Sequence, residues 1–184
     1  MQMKAALFEN AAGSANAIGR ISLDAGDIAN AHRWYGTGYE TAKKIPNLKP
    51  EQIDLWEWRW LNAQGRVAAR RGQVDLARSF AAKGKAILDK GTNKDQLPFY
   101  PYLAGYIEFH AKNYPKAIEE LLKGDQNDAF VLGLIAQAYE GTGDQTRARE
   151  FYTKVMASPG HTINAAYSRP VARKFLQREN PPTV

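Results

Sequence analysis

The segment Asp54 to Leu61, DLWEWRWL, alternates polar and apolar residues, with tryptophan at 56, 58 and 60. Strict alternation is the pattern of a half-buried strand. The surrounding residues argue for a helix instead. Pro50 stands where a helix would begin, a position at which its missing N–H costs nothing, and Gly65 and Ala68 continue a helical spacing downstream. At about 100° per residue, Leu61, Gln64, Gly65 and Ala68 share one face. Ile53, Trp56, Trp60, Ala63 and Val67 share a second, suited to a neighbouring pair of helices. Leu55, Arg59, Asn62, Arg66 and Arg70 share a third, with Trp58 at its edge. Periodicity of this kind runs the length of the chain and predicts an all-helical protein. Helix pairs are expected near 4–24 and 27–44, 50–71 and 73–90, 97–111 and 114–123, and 128–142 and 144–157. PNLK (Pro46 to Lys49) and KGTNKDQLP (Lys90 to Pro98) are the clear loops.

The pairs repeat. Four segments carry a turn followed by a fixed alanine: GDIANA ending at Ala31, GQVDLA at Ala77, KNYPKA at Ala117 and GDQTRA at Ala148. Upstream of each alanine, at one constant distance, sits a small residue: Gly19, Gly65, Gly105 and Ala136. Four positions after it sits Tyr35, Ala81, Leu121 or Tyr152. Small residues on the first helix and alanine on the second let two antiparallel helices approach closely.

The chain here resembles the tetratricopeptide repeat family. The resemblance rests on Gly65 and Ala68 with Gly72 to Ala77, on Gly105 with Asn113 to Ala117, and on AQAYEGTGDQTRAREFYTKV, Ala136 to Val155. Spacing of the anchoring alanines is uneven, against roughly 34 residues in a regular array. LWEWRWLNAQGRVAARRGQVDLAR, YPYLAGYIEFHAKNYPKAIEEL and GHTINAAYSRPVARKFL also resemble bacterial members of the family, some with export leaders. The resemblance implies a right-handed helical-hairpin solenoid of about four irregular pairs over 1–159 (4–44, 50–90, 97–123 and 128–157). Residues 160–184 would form a C-terminal capping helix, broken or started near Pro170, and a frayed tail, NPPTV.

In that family the first helix of each pair lines a concave groove that holds peptides. Carried over by register, the groove would take Arg59, Asn62, Arg66, Ala69 and Arg70 from the second pair. Phe99, Tyr102, Tyr106, Phe109 and His110 would come from the third. Asn16 and Arg20 would come from the first, and Phe130, Gln137 and Glu140 from the fourth. Trp58 and Arg59 would look toward it. Trp58, Arg59, Asn62, Arg66, Arg70, Tyr102, Tyr106 and His110 are thus the candidate binding residues. Arginine forks hold carboxylates bidentately and tyrosines give rigid amphipathic contact, so an acidic segment with apolar or aromatic side chains is the expected partner. Asn16 and Arg20 stand where carboxylate-clamp members carry lysine and asparagine, so recognition of chaperone tails is not implied. The same arginine spacing also describes a solvated face, and the aromatics from Phe99 to Phe109 could equally be buried.

Charge and chemistry add less. A net charge of +6 suits acidic proteins, nucleic acid or anionic surfaces. Arg66, Arg70 and Arg71 beside Trp58 and the tyrosines could contact a single strand, though acidic residues are interspersed and no recognition motif occurs. Zero cysteines exclude disulfides and thiolate metal sites. His32, His110 and His161 are scattered, and no HExxH, GxSxG or GxxxxGK[ST] occurs. A non-enzymatic scaffold without cofactor is expected, with a self-assembling subunit stacked through its repeat ends as the alternative. No run reaches the roughly 18 apolar residues of a membrane span, so no membrane insertion is expected. Met1 to Phe8 does not read as a secretory signal. The sequence does not choose a compartment: cytoplasmic, or periplasmic or otherwise extracytoplasmic if an export leader has been removed.

Overall fold

The computed structural model describes residues 2–160 and 162–179. Among them every regular element is helical: α1 (Gln2–Asp24), α2 (Ile28–Ala42), α3 (Pro50–Arg70), α4 (Val74–Leu88), α5 (Phe99–His110), α6 (Tyr114–Leu121), α7 (Ala129–Thr142), α8 (Gln145–Ala157) and α9 (Ile163–Glu179). A single 3-10 turn, Lys94–Gln96, interrupts the expected loop before α5. The tryptophan stretch is helical, with Pro50 at the start of α3 as expected.

The chain divides into two compact units, Met1–Leu97 and Pro98–Val184. The first contains the antiparallel pairs α1/α2 and α3/α4, with α2 also against α3. The second contains α5/α6 and α7/α8, with α6 against α7 and α9 laid over α7 and α8. His161 and the tail from Asn180 to Val184, where fraying was expected, lie outside the described residues.

All four pairs turn the same way. Gly26, Gly72, Lys112 and Gly143 adopt left-handed backbone, φ 88°, 74°, 60° and 82°. In each case the following residue's N–H reaches back to a carbonyl five positions earlier: Asp27 to Ser22, Gln73 to Ala68, Asn113 to Glu108 and Asp144 to Tyr139. This is the Schellman ending, which glycine accommodates without strain. The next helix then starts at once, and Asp27 and Asp144 cap it by accepting from the N–H groups of Asn30 and Arg147, both at 3.0 Å.

Packing follows the repeat. Ala31, Ala77, Ala117 and Ala148 are all fully buried. A Cβ placed at Gly19 would lie 2.9 Å from Tyr35 Cδ1, and one at Gly105 would lie 2.5 Å from Leu121 Cγ. Gly19 and Gly105 are therefore contacts between the two helices of their pairs. Trp56 joins Ala12, Ala42 and Ile45 in one core cluster. Trp60 packs on a second, made of Leu23, Ala31, Tyr35, Ala63 and Val67. Both rings thus bind α3 to the first pair, as the second face of α3 implies, whereas Ile53 on that face is exposed.

The C-terminal helix differs from expectation. α9 is continuous from Ile163 to Glu179 with Pro170 inside it. An internal proline removes one backbone hydrogen bond and crowds the preceding turn. Packing on both sides of it holds the two halves in line: Ala165 and Ser168 before it and Ala172 and Phe175 after it are buried. Arg169 also donates to the Ser158 carbonyl at 2.5 Å, tying the helix to the loop before it.

Candidate functional site

The eight candidate residues fall into two groups, one in each unit. Trp58, Arg59, Asn62, Arg66 and Arg70 lie on α3 of the first, and Tyr102, Tyr106 and His110 on α5 of the second.

Trp58 is not on the arginine face. It is 2% exposed, and its ring lies against α4, where a Cβ at Gly84 would sit 2.8 Å from Cζ3. The reason is register. Trp58, Leu61, Gly65 and Ala68 are spaced three, four and three apart, which places them within one stripe of a helix. That stripe faces the partner helix of the pair, and Gly84 leaves room for the indole.

The remaining α3 residues keep to one face but differ in exposure. Arg66 is 8% exposed. Its Nη2 donates to the Tyr35 hydroxyl at 3.1 Å, and its guanidinium lies 5.5 Å from the Tyr35 ring centroid. Arg20 and Asp24 of α1 complete the cluster, with Nε and Oδ2 3.8 Å apart and the Asp24 side chain almost wholly buried. Burial raises the Tyr35 phenol pKa above its ordinary value, with Arg66 opposing and Asp24 reinforcing the shift. Arg66 therefore braces α3 against the first pair. Asn16, another expected groove position, is turned onto α2, where a Cβ at Gly38 would lie 2.6 Å from its Oδ1.

Arg59 and Arg70 remain on the surface side of this face. Arg59 is exposed, its guanidinium 4.8 Å from the Trp56 ring centroid. Desolvation against the protein lowers its pKa from the ordinary arginine value, with Glu9 and Asp95 acting the other way. Arg70 is half-buried in the last turn of α3, close to the α1–α2 turn: a Cβ at Gly26 would lie 3.8 Å from its Nη2. Asn62, half-buried, stands between the two arginines on the same face.

On α5, Tyr106 is 1% exposed and belongs to the core of its own unit. Its ring is 5.8 Å from Tyr102 and 4.5 Å from His110. Tyr102 meets Phe130 of α7 edge-on at 6.1 Å, and Phe109 lies 5.2 Å from His110 and 5.8 Å from Tyr114. Half-buried Tyr102 and His110 thus flank a buried ring, with Phe130 and Phe109 outside them.

No protein-family model matches the chain, and neither a curated protein nor a solved structure matches it significantly.

Some polar groups carry no sequence expectation. Asp24 is one, although its spacing from Arg20 is that of a helical ion pair. Tyr39 is another: it stacks on Trp60 at 5.0 Å and 8° and donates to the Glu57 carboxylate. Burial, then that hydrogen bond, push its pKa up to about 12. Asp54 accepts from Lys90 at 2.6 Å and from Thr92 at 3.0 Å, and the Lys90 bond holds its carboxyl below the ordinary range. Among the described residues no group of three or more His, Cys, Asp or Glu side chains could hold a metal ion. No described helix is long and apolar enough to cross a membrane.

Proposed function

We propose that the chain is a tetratricopeptide-type scaffold without catalytic chemistry, and that the arginine face of α3 binds an acidic protein segment. The solenoid reading is supported by the common turn of the four pairs, by the buried alanine after each turn, and by the close Gly19–Tyr35 and Gly105–Leu121 contacts. One observation carries the binding reading. Exposed Arg59 and half-buried Arg70 stand at the two ends of one helical face, with Asn62 between them, while Arg66 is consumed by the core.

The spacing states what would fit. Eleven positions along a helix is about 16 Å at about 1.5 Å per residue, which an extended peptide spans in about five residues. Two carboxylates four positions apart leave an extended chain on the same side, so each would meet one guanidinium, and Asn62 could hold the intervening backbone. The aromatic surface of α5 is a separate feature of the second unit, suited by itself to apolar side chains.

The test is a fluorescence-anisotropy titration with a labelled peptide bearing two glutamates four positions apart. Arg59→Ala combined with Arg70→Ala should weaken binding at least tenfold, since one charge-assisted hydrogen bond contributes about 1.5 kcal/mol or more. Exchanging the glutamates for glutamine should do the same. Arg66→Ala is a poor probe because it strips the Tyr35 hydroxyl of a donor. Equal affinity of the double variant and the parent chain, or of the glutamine peptide and the acidic one, would refute the proposal.

A further inference from the structure

Trp56 and Arg59 stand three positions apart on α3, close enough for one side chain to reach the other. A helical side chain lies over the turn N-terminal to its own Cα, so Arg59 leans back onto Trp56. The result is a guanidinium over the Trp56 ring, 4.8 Å from its centroid. The two residues are held very differently. Trp56 is 5% exposed and is packed with Ala12 of α1, Ala42 at the end of α2, and Ile45. Arg59 is exposed, and an exposed arginine without such a support samples many rotamers.

The stack bears on binding in two ways. A long side chain loses rotamer freedom when a ligand immobilises it, and that loss weakens affinity. An arginine already resting on a fixed ring has lost part of that freedom before the ligand arrives. The guanidinium also keeps its N–H donors in its own plane, so a ring beneath one face leaves the fork for a carboxylate. Desolvation lowers the Arg59 pKa, and a less hydrated setting strengthens a hydrogen bond to a charged partner. The other arginines of the face lack this arrangement. Arg66 is committed to Tyr35, and Arg70 lies by the α1–α2 turn at Gly26. Glu9 and Asp95 attract Arg59 as well, but a carboxylate offers no flat support.

We propose that Trp56 is a positioning residue for the arginine face, its ring holding the Arg59 guanidinium so that the in-plane fork takes one ligand carboxylate bidentately. This rests on the acidic-segment reading above. Trp56 does not touch the ligand and acts only through Arg59. The Arg59 end is the specific anchor, which lysine cannot replace, because an ammonium offers a point charge and no fork.

Two measurements separate the stack from the site. In NMR spectra of the free chain, protons over an indole face move upfield. The Arg59 Cδ proton signals should therefore move downfield in Trp56→Leu and stay in place in Glu9→Gln combined with Asp95→Asn. In anisotropy titrations with the two-glutamate peptide, Trp56→Leu should weaken binding about fivefold in the parent background and not at all in Arg59→Ala. Trp56→Phe, which keeps a ring, should recover part of the loss. Should Trp56→Leu not fold, Trp56→Phe is read against Arg59→Ala in the same way.

Because Trp56 is also a core residue, a loss of equal size in both backgrounds would assign the effect to the fold and overturn the positioning role. Arg59 signals that ignore Trp56→Leu would overturn it too. Arg59→Lys, equal in charge, should bind more weakly than the parent chain, and equal affinity would overturn the bidentate fork. A stacked Arg59 in a parent chain that does not bind the peptide would refute the acidic-segment reading, and the positioning role with it. Binding by a parent chain whose Arg59 is unstacked would overturn the positioning role alone.

Discussion

At the scale of single residues, the helix pairs depend on side chains that are missing. Gly105 faces Leu121 and the Ala117 carbonyl, which a Cβ would approach to 2.5 and 3.1 Å. Gly105→Ala gains up to about 1 kcal/mol of helix propensity, but overpacking of this kind costs about 1–3 kcal/mol. A net loss of stability in urea melts is expected, and a stabilised variant would mean that α5 and α6 are packed less closely. The Gly105–Leu121 and Gly19–Tyr35 pairings were legible in the sequence because a repeat samples the same contact several times. Trp58 was placed at the edge of the arginine face because helical register sets it only about 100° from Arg59, a boundary position that either face could claim. Its burial follows from its spacing to Leu61 and Gly65 and from Gly84, a residue on another helix that no local pattern connects to it. Burial of Arg66 was equally illegible, since a row of arginines reads alike whether or not a tyrosine from α2 waits beneath it.

At the scale of elements, turns and clamps decide where helices stop. Lys112 holds the left-handed position that glycine holds in the other three turns. A non-glycine residue there costs roughly 1–2 kcal/mol, and part of the relief is returned as unfolded-state entropy when glycine replaces it. Lys112→Gly should therefore stabilise the chain by about 0.5–1 kcal/mol in a thermal melt, and a destabilised variant would contradict the common-turn account. The loop after α4 is held differently, by Lys90 and Thr92 on Asp54 of α3. With the folded carboxyl below its ordinary pKa, the contribution is present above the unfolded value and disappears as pH falls through the folded one. Half of the Lys90 side chain is exposed, so screening keeps the contribution to about 1 kcal/mol. Asp54→Asn should lower stability by about that amount at neutral pH and the gap should close in acid. A gap that persists there would assign the effect to packing. Helix boundaries were legible within about three residues because caps, glycines and prolines mark them, whereas the continuity of α9 through Pro170 depends on tertiary packing that its own sequence does not display.

At the scale of the whole molecule, four like-built helix pairs are distributed over two compact units, and the charged and aromatic surfaces fall in different ones. Periodicity made the all-helical architecture legible. Exposure of the candidate groove did not follow from periodicity, because the face lining a groove and the face lining a core share the same spacing. What separates them here is Arg59 and Arg70 on the surface side of α3, against Arg66 and Trp58 within. The most direct check is an NMR titration of the arginine Nε–H signals with the two-glutamate peptide. Arg59 and Arg70 should shift progressively and saturate together, with Arg66 little changed. Saturable binding that leaves the Arg59 and Arg70 signals in place would contradict the proposed site.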